Sequence, residues 1–343
     1  MIPIPIGERV DDTDAIAPPK EEINEMRSNE SGTTGYDTEH YRLIGEIDHR
    51  STVMFIGIDH GTTAIRFASA TGGFKMSRSD ARDFVIDDLT RLCPVEEIEG
   101  IALCYSMGDN FTAITDIQKL KNRGVITREG AGEHVGGGTR VYDMIAASGI
   151  PAVAIPGIHR GSDTDPRFKV YSHQTSPEKI GIAYAVSKDL GETFVVSDTS
   201  SNTVTLLIRE SRIIGGFDAC IFAPGTRHGA LDVDAIRRVD EGIESANEAF
   251  MHAGVTDNLP EDLHLPTIAL FAAMECASLL LLAPEAKVAL AGSCAPAIAG
   301  EVRQLLCRDV ATYDEWSASR GLSMIAEDIA DGRREILGIP VDV

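Results

Sequence analysis

GIDHGTT, at residues 57–63, is the stretch of sequence that decides the fold of this chain. An apolar run over 53–58 leads into it and a second over 64–69 follows, so the pattern predicts two β-strands joined by a hairpin. Farther along, an apolar strand over 194–198 also ends in Asp and is followed, after a polar turn, by a strand over 203–209. Two hairpins of one kind predict a chain built from two similar halves.

The first hairpin carries residue types that suit a phosphate group. Asp59 ends its strand with the carboxylate at the edge of the sheet, where it can meet Mg²⁺ or the water shell of the ion. Gly61 lets backbone amides approach an anion, and Thr62 and Thr63 add hydroxyl donors. Because Asp-x-Gly is also a common turn signal, this hairpin alone leaves an ordinary turn as the alternative.

The second half supplies two more pieces of this kind. Asp198 is followed by hydroxyl and amide side chains over 199–203, which could hold a phosphate chain and its metal from the other side of a cleft. After a strand over 287–291, small residues lead straight into a helix, which suits nucleotide phosphate or ribose at the helix N-terminus. We expect Asp59 and Asp198 to be catalytic groups and Mg²⁺ ligands. Nucleotide contacts are expected from Gly61, Thr62, Thr63, Ser200, Ser201, Thr203, Gly292 and Ser293.

The order of the predicted elements indicates an α/β fold with mixed sheets covered by helices. From residue 53, three strands precede alternating helices and strands, and from residue 193 the pattern restarts. A single doubly wound Rossmann sheet is the alternative, but no GxGxxG follows a strand. We expect a first domain over 53–190 and a second over 191–343, whose final helix crosses back to the interface between them. Other predicted helices cover 80–92, with Ser79 as N-cap, and 139–148, 178–189, 240–253, 265–283 and 296–307.

Composition excludes several function classes. The 31 Lys and Arg against 53 Asp and Glu give a net charge of −22, which repels phosphate backbones, so no nucleic acid is expected as a ligand. The six cysteines form no CxxC pair and mostly stand in apolar runs, as small core residues do in a reducing compartment. The most apolar stretch, 268–283, contains Glu275 and is too short to span a bilayer. We therefore expect a buried helix, no membrane association and a cytoplasmic protein.

The first fifty-two residues differ from the rest of the chain. They combine prolines with scattered Asp and Glu and show almost no apolar periodicity, so we expect a disordered acidic extension over 1–52. Met54 stands at the start of the first strong strand, and a natural start at Met54 is the alternative to a genuine tail.

In this order and at this spacing, the three segments resemble the two phosphate motifs and the adenosine motif of the acetate and sugar kinase/Hsp70/actin superfamily. The resemblance implies a two-domain actin-like ATPase fold, with duplicated mixed sheets, flanking helices, and ATP and Mg²⁺ in the cleft between the domains. It implies that helix 178–189 and the final helix cross there through the small residues Gly181, Ala183, Ala185, Ala318 and Gly321. The second phosphate loop of the superfamily is normally rich in Gly, whereas 199–202 contains none. This difference puts fast phosphoryl transfer in question.

Within that superfamily, the whole chain resembles the methanogenesis-marker protein 12 family of archaea, which is akin to predicted butyrate kinases. The matching stretches are 55–67, 136–140, 155–159, 225–229 and 326–329. This resemblance implies the cytoplasm of a methanogenic archaeon, but it does not supply a reaction.

Three loops are candidates for an acceptor site. In one, glycines precede Arg140 at a predicted helix start, which suits an anion, although the Lys-Ser/Thr ending of a Walker loop is missing. His159 follows a strand end, where ligands of α/β proteins gather. In the third loop, Arg227 could bind a carboxylate or phosphate beside His228. An ordinary surface loop is the alternative interpretation of all three.

Two function classes stay open. The first is a small-molecule kinase that holds ATP and Mg²⁺ between both phosphate loops, with a butyrate- or acetate-like carboxylate as acceptor. The second is an accessory or assembly protein linked to methanogenesis, in which nucleotide binding or slow ATP hydrolysis closes the cleft and alters a partner contact. The acceptor, the partner and the oligomeric state stay open, with a homodimer among the alternatives.

Overall fold

The computed structural model describes residues 53–105, 110–124 and 137–343, and the expected extension over 1–52 lies outside them. The strands, in chain order, are β1 (Met54–His60), β2 (Ala64–Ala68), β3 (Gly73–Ser77), β4 (Ile98–Leu103), β5 (Ile114–Asp116), β6 (Ala152–Ala154), β7 (Ile158–His159), β8 (His173–Thr175), β9 (Phe194–Thr199), β10 (Thr203–Arg209), β11 (Arg212–Phe217), β12 (Lys287–Ala291), β13 (Val310–Thr312), β14 (Glu335–Ile336) and β15 (Ile339–Asp342). The helices, in chain order, are α1 (Gly137–Ser148), α2 (Glu178–Leu190), α3 (Val233–Asp240), α4 (Ala246–Met251), α5 (Val255–Asn258), α6 (Glu261–Leu280), α7 (Ala295–Leu306) and α8 (Ser317–Ala330).

Two mixed sheets repeat one arrangement of strands. In the first, β1, β2 and β3 form an antiparallel meander, β4 is parallel to β1, and β6 is parallel to β4. In the second, β9, β10 and β11 form the meander, β12 is parallel to β9, and β13 is parallel to β12. The prediction of two similar halves is confirmed.

The C-terminal strands lie in the first sheet. β14 pairs with β15, and β15 pairs in parallel with β5. The chain therefore returns to the first sheet after it has completed the second, and the predicted boundary near residue 190 stays a prediction.

Two helices lie between the sheets and cross each other. α8 packs on β1 and β4, whereas α2 packs on β9, and the two helices contact each other extensively. At the crossing, a Cβ added to Gly321 would lie 1.8 Å from the carbonyl oxygen of Gly181. Against the first sheet, a Cβ on Gly57 would lie 1.9 Å from the carbonyl oxygen of Ser319. Glycine is required at these positions because no side chain fits between the backbones.

The outer faces of the two sheets are covered by other helices. α1 and short 3₁₀ helices cover the first sheet. Phe67, Phe84 and Ile145 are among the buried apolar residues packed between the sheet and these helices. α6 and α7 cover the second sheet. α6 is longer than predicted and is long and apolar enough to cross a membrane by length and composition alone. Eight of its residues, Glu275 included, are buried in this fold.

Two predicted helices are wrong in detail. The helix over 80–92 is replaced by two 3₁₀ helices, Asp80–Asp83 and Ile86–Arg91, because Val85 between them is extended at φ −127° and ψ 157°. The Ser79 side chain makes no capping hydrogen bond. The helix over 240–253 does not form as one element, since α3 ends at Asp240 and α4 begins only at Ala246. Gly242, at φ +72°, turns the chain between them.

Candidate functional site

The turns of the two repeated hairpins face each other across a cleft with a cavity volume of about 150 Å³. Ser201 Oγ on the β9–β10 turn lies 3.4 Å from Thr62 Oγ1 on the β1–β2 turn. Of the residues predicted from the sequence, the lining contains Asp59, Gly61, Thr62, Thr63, Asp198, Ser200, Ser201, Arg227, Gly292 and Ser293. Thr203 is buried outside this lining and donates its hydroxyl hydrogen to the Pro224 carbonyl over 2.8 Å.

Asp59 lies near the end of β1, almost fully buried. Arg66 approaches its Oδ2 to 3.5 Å, and the same guanidinium donates to Glu315 over 2.8 Å. Burial, and then the charge of Glu178, raise the pKa of Asp59 to about 7, although Arg66 and Lys179 oppose the change. Asp59 therefore shares Arg66 with Glu315, and its charged form is only weakly stabilised.

Asp198, at the matching place in the second half, has a stronger partner. Its Oδ2 accepts from Lys179 Nζ at 2.6 Å and lies 3.3 Å from Ser200 Oγ. Lys179 Nζ also lies 3.0 Å from Glu178 Oε1. Burial alone would lower the pKa of Lys179, but the Asp198 and Glu178 carboxylates outweigh it and hold that pKa well above its usual range. Burial would likewise raise the pKa of Glu178, but Lys179 keeps it below the ordinary value.

Sequence reasoning missed Glu178 and Lys179. They are the first two residues of α2 and line the cleft directly. A signal was present, because α2 continues with residues that are apolar or small on every side and are buried. A lysine at the start of such a helix must find an acidic partner, since an unpaired buried charge is costly.

The Gly292 turn closes the cleft beside Asp198. Gly292 has φ +93°, and a Cβ placed there would lie 2.2 Å from Asp198 Oδ1. The backbone amide of Cys294 donates to the Thr199 carbonyl over 2.9 Å, which fixes the turn against the end of β9. Glycine is therefore required both for the left-handed backbone and for the space beside the carboxylate.

The loop that carries Arg227 is built onto the β9–β10 turn. The amides of Arg227 and His228 donate to the Ser201 carbonyl over 3.0 and 2.9 Å. These bonds bring Arg227 into the cleft. His228 instead is buried outside the lining and stacks on Phe250 at 4.8 Å, and burial, followed by Lys179 and Arg227, lowers its pKa.

Arg140 and His159 do not join this site. Arg140 is exposed on α1 and donates to the Phe84 carbonyl over 3.0 Å. The His159 ring lies 3.0 Å from the Phe111 carbonyl oxygen and accepts from the Gly161 amide over 3.1 Å. Neither side chain is part of the cleft lining.

The cleft carboxylates do not fit a metal ion bound directly by the protein. Across residues 53–105, 110–124 and 137–343, no group of three or more His, Cys, Asp or Glu side chains is arranged to hold one. Asp59 faces Arg66, and Asp198 is already paired with Lys179. The assignment of Mg²⁺ to Asp59 and Asp198 stays a prediction.

Comparison with known proteins gives the family. The chain is 45% identical over 324 residues to a UPF0285 protein of Methanosarcina mazei, an alignment that covers 84% of this chain and 99% of that protein. It belongs to the UPF0285 family. A second UPF0285 protein, from Methanococcus maripaludis, is 41% identical over 324 residues, with 84% of this chain and all of that protein covered. Both relatives come from methanogens. No protein-family model matches the chain.

Solved structures give the fold of this UPF0285 chain. It is similar to a propionate kinase from Francisella tularensis, with a TM-score of 0.54, 12% identity, and coverage of 80% of this chain and 98% of that one. It is similar to an acetate kinase from Porphyromonas gingivalis, with a TM-score of 0.51, 11% identity, and coverage of 81% and 99%. The predicted actin-like α/β fold, with duplicated mixed sheets flanked by helices, is confirmed, and these two kinases share it.

Proposed function

We propose that the cleft binds a nucleotide by its phosphate tail, with ATP as the ligand. The observation that supports this most directly is the approach of the two hairpin turns, with hydroxyl groups of Ser201 and Thr62 3.4 Å apart. Gly61 and Gly292 also line the cleft, and neither carries a side chain that would cover its own backbone there. Small, hydroxyl-rich turns at strand ends are suited to phosphate because their amides and hydroxyls all donate toward one point.

One cation of the cleft, Arg227, could bind a second, smaller anion beside the nucleotide. Three cations line it, of which Arg66 is bonded to Glu315 and Lys179 to Asp198. Within the described residues, the Arg227 guanidinium has no carboxylate partner, and its backbone is fixed by the β9–β10 turn. A positioned, unpaired guanidinium binds a carboxylate or a phosphate with two hydrogen bonds.

These features support a kinase with a small carboxylate as acceptor. The carboxylate oxygen would attack the terminal phosphorus of the nucleotide, the bond from that phosphorus to the bridging oxygen would break, and the nucleoside diphosphate would leave. The names of the propionate and acetate kinases that share the fold agree with this acceptor class. The resemblance to the methanogenesis-marker proteins and the relatives from methanogens support a role in the cytoplasm of a methanogenic archaeon.

A specific contact favours a second candidate, an accessory protein that binds ATP and hydrolyses it slowly. Asp198 is held by Lys179 at 2.6 Å, so its carboxylate is not free to act as a base. The turn after it contains no glycine. In this case, nucleotide binding would serve to close the cleft and change a partner contact.

The test is calorimetric titration with ATP and ADP, followed by an assay of ADP release with short carboxylic acids added. Asp198→Asn separates the two candidates, with the exposed Asp234→Asn as a control of equal charge change. In a kinase, Asp198→Asn is expected to lower turnover by about a hundredfold or more while affinity changes little, because Asp198 would hold Lys179 in place beside the transferring phosphoryl group. In an accessory protein, affinity and partner capture fall together. Unaltered binding and turnover in Asp198→Asn would contradict both candidates.

A further inference from the structure

The ammonium group of Lys179 lies where three oxygen atoms converge. Its Nζ is 2.6 Å from Asp198 Oδ2, 3.0 Å from Glu178 Oε1 and 3.3 Å from Asn202 Oδ1. The three acceptors come from the end of β9, the start of α2 and the β9–β10 turn. An ammonium group has three hydrogens, so this arrangement uses all of its donors.

Two carboxylate oxygens and one amide oxygen around a point form the kind of donor set that Mg²⁺ and Mn²⁺ accept, with water completing the shell. Here the centre of the set is taken by a side chain of the protein itself. Lys179 is 5% exposed, so its side chain is packed in the folded protein and is not a mobile surface charge.

The lysine is also unable to leave without a penalty. It is the second residue of α2, and Gly181, two residues farther on, is pressed against the Ala318 carbonyl of α8. A metal ion that entered the same place would separate the ammonium from its three acceptors, which is unfavourable for a buried charge.

We propose that Lys179 is a tethered cation that fills the cation position beside Asp198, so that the cleft engages phosphate without a divalent ion held by Asp198 and Glu178. The statement about phosphate rests on the proposed function, whereas the exclusion of the divalent ion does not.

The experiment is a titration of the full-length protein with Mn²⁺, followed by the electron paramagnetic resonance signal of the free ion. Wild type is expected to show no Mn²⁺ site in the cleft. Lys179→Met opens the three-oxygen set and is expected to bind one Mn²⁺ at least about tenfold more tightly than wild type. Adding Asp198→Asn to Lys179→Met should abolish this gain. Lys188→Met is the matched control, since Lys188 lies on the same helix and pairs with Asp328 away from the cleft at 2.7 Å.

Two results would overturn the proposal. One is Mn²⁺ binding by wild type that is lost in Asp198→Asn, and the other is a Lys179→Met protein that gains no site. If Lys179→Met does not fold, Lys179→Ala takes its place, because it opens the same three-oxygen set with a smaller side chain. If neither folds, the comparison of wild type with Asp198→Asn decides.

A second measurement separates this proposal from the proposed function. ADP affinity of wild type is measured by calorimetry in excess Mg²⁺ and in EDTA. A difference below about fivefold supports the tethered cation, and a larger loss in EDTA overturns it while leaving nucleotide binding in place. If ADP binds neither in Mg²⁺ nor in EDTA, the proposed function is wrong. The Mn²⁺ titration still tests the role of Lys179 in that case.

Discussion

Glu275 provides a stability test that depends on pH. It lies on α6, 1% exposed, behind the second sheet. Its Oε2 lies 2.6 Å from Thr205 Oγ1, and its Oε1 accepts from the Ala223 amide over 3.2 Å. Burial raises the pKa of Glu275 from 4.5 to about 8, and the charge of Asp218 adds to this, because the two hydrogen bonds do not compensate for the loss of water.

The sign follows from the two protonation states. The folded protein holds a proton on Glu275 that the unfolded chain releases above pH 4.5, so the free energy of unfolding decreases as pH rises from 4.5 to about 8. Each unit of pH within that window costs about 1.4 kcal/mol. Between about pH 5.5 and about pH 8.5, this single carboxyl is expected to cost about 3 kcal/mol.

Glu275→Gln removes the titration and keeps both hydrogen bonds, since the amide oxygen accepts from Ala223 and the amide nitrogen donates to Thr205. Urea unfolding at both pH values gives the stability of each protein. From about pH 5.5 to about pH 8.5, we expect the free energy of unfolding of Glu275→Gln to rise by about 3 kcal/mol relative to that of wild type.

The exposed Glu261→Gln, in the first turn of the same helix, is the control and should show no such gain. Other groups titrate equally in both proteins. The pH dependence of the difference in stability between wild type and Glu275→Gln therefore reports on Glu275 alone. A difference between wild type and Glu275→Gln that is the same at both pH values would refute the reasoning.

Two glycine substitutions test the geometry of the cleft and of the helix crossing. Gly292→Ala places a Cβ 2.2 Å from Asp198 Oδ1 on a backbone at φ +93°, and it should weaken ADP binding by about tenfold or more in calorimetry. Gly321→Ala places a Cβ 1.8 Å from the Gly181 carbonyl oxygen and should lower the free energy of unfolding by about 1–3 kcal/mol or more, measured in urea. Gly300→Ala on α7, with nothing within 4 Å, is the control for both and should leave stability equal or higher by up to about 1 kcal/mol. If Gly292→Ala binds ADP as tightly as Gly300→Ala does, the turn has room for a side chain and the prediction for it is wrong. If Gly321→Ala is as stable as Gly300→Ala, the prediction for the helix crossing is wrong.

The sequence predicted the main strands well because each is a buried apolar run with a clear end. β10 and β12 have the predicted bounds, and β1 and β9 differ by one or two residues. The short strands β7, β13 and β14, of two or three residues, were not predicted. They carry too few residues to show a period, and their pairing is set by distant parts of the chain.

The candidate site was predicted in part, and the limit is a physical one. The turns around Asp59 and Asp198 could be found because their residue types stand together in the chain. Lys179 and Glu178 could not be assigned to the same place, because their partner is a strand end about twenty residues away that only the fold brings near. The apolar character of α2 indicates that Lys179 needs an acidic partner, but only the fold shows that this partner is Asp198.

Each of the two cleft carboxylates also has its ion pair within its own half, although the charges of Glu178 and Lys179 act on Asp59 across the cleft, and this bears on how the cleft could move. Arg66 and Glu315, which accompany Asp59, lie on the first sheet and just before α8, the helix that packs on that sheet. Lys179, which accompanies Asp198, lies on α2, the helix that packs on the second sheet. A rotation of one half against the other at the crossing of α2 and α8 would therefore change the separation of the two hairpin turns without breaking the ion pairs of either carboxylate. Since separating paired charges is the costly part of opening a polar cleft, a ligand that bridges the turns has little electrostatic resistance to overcome.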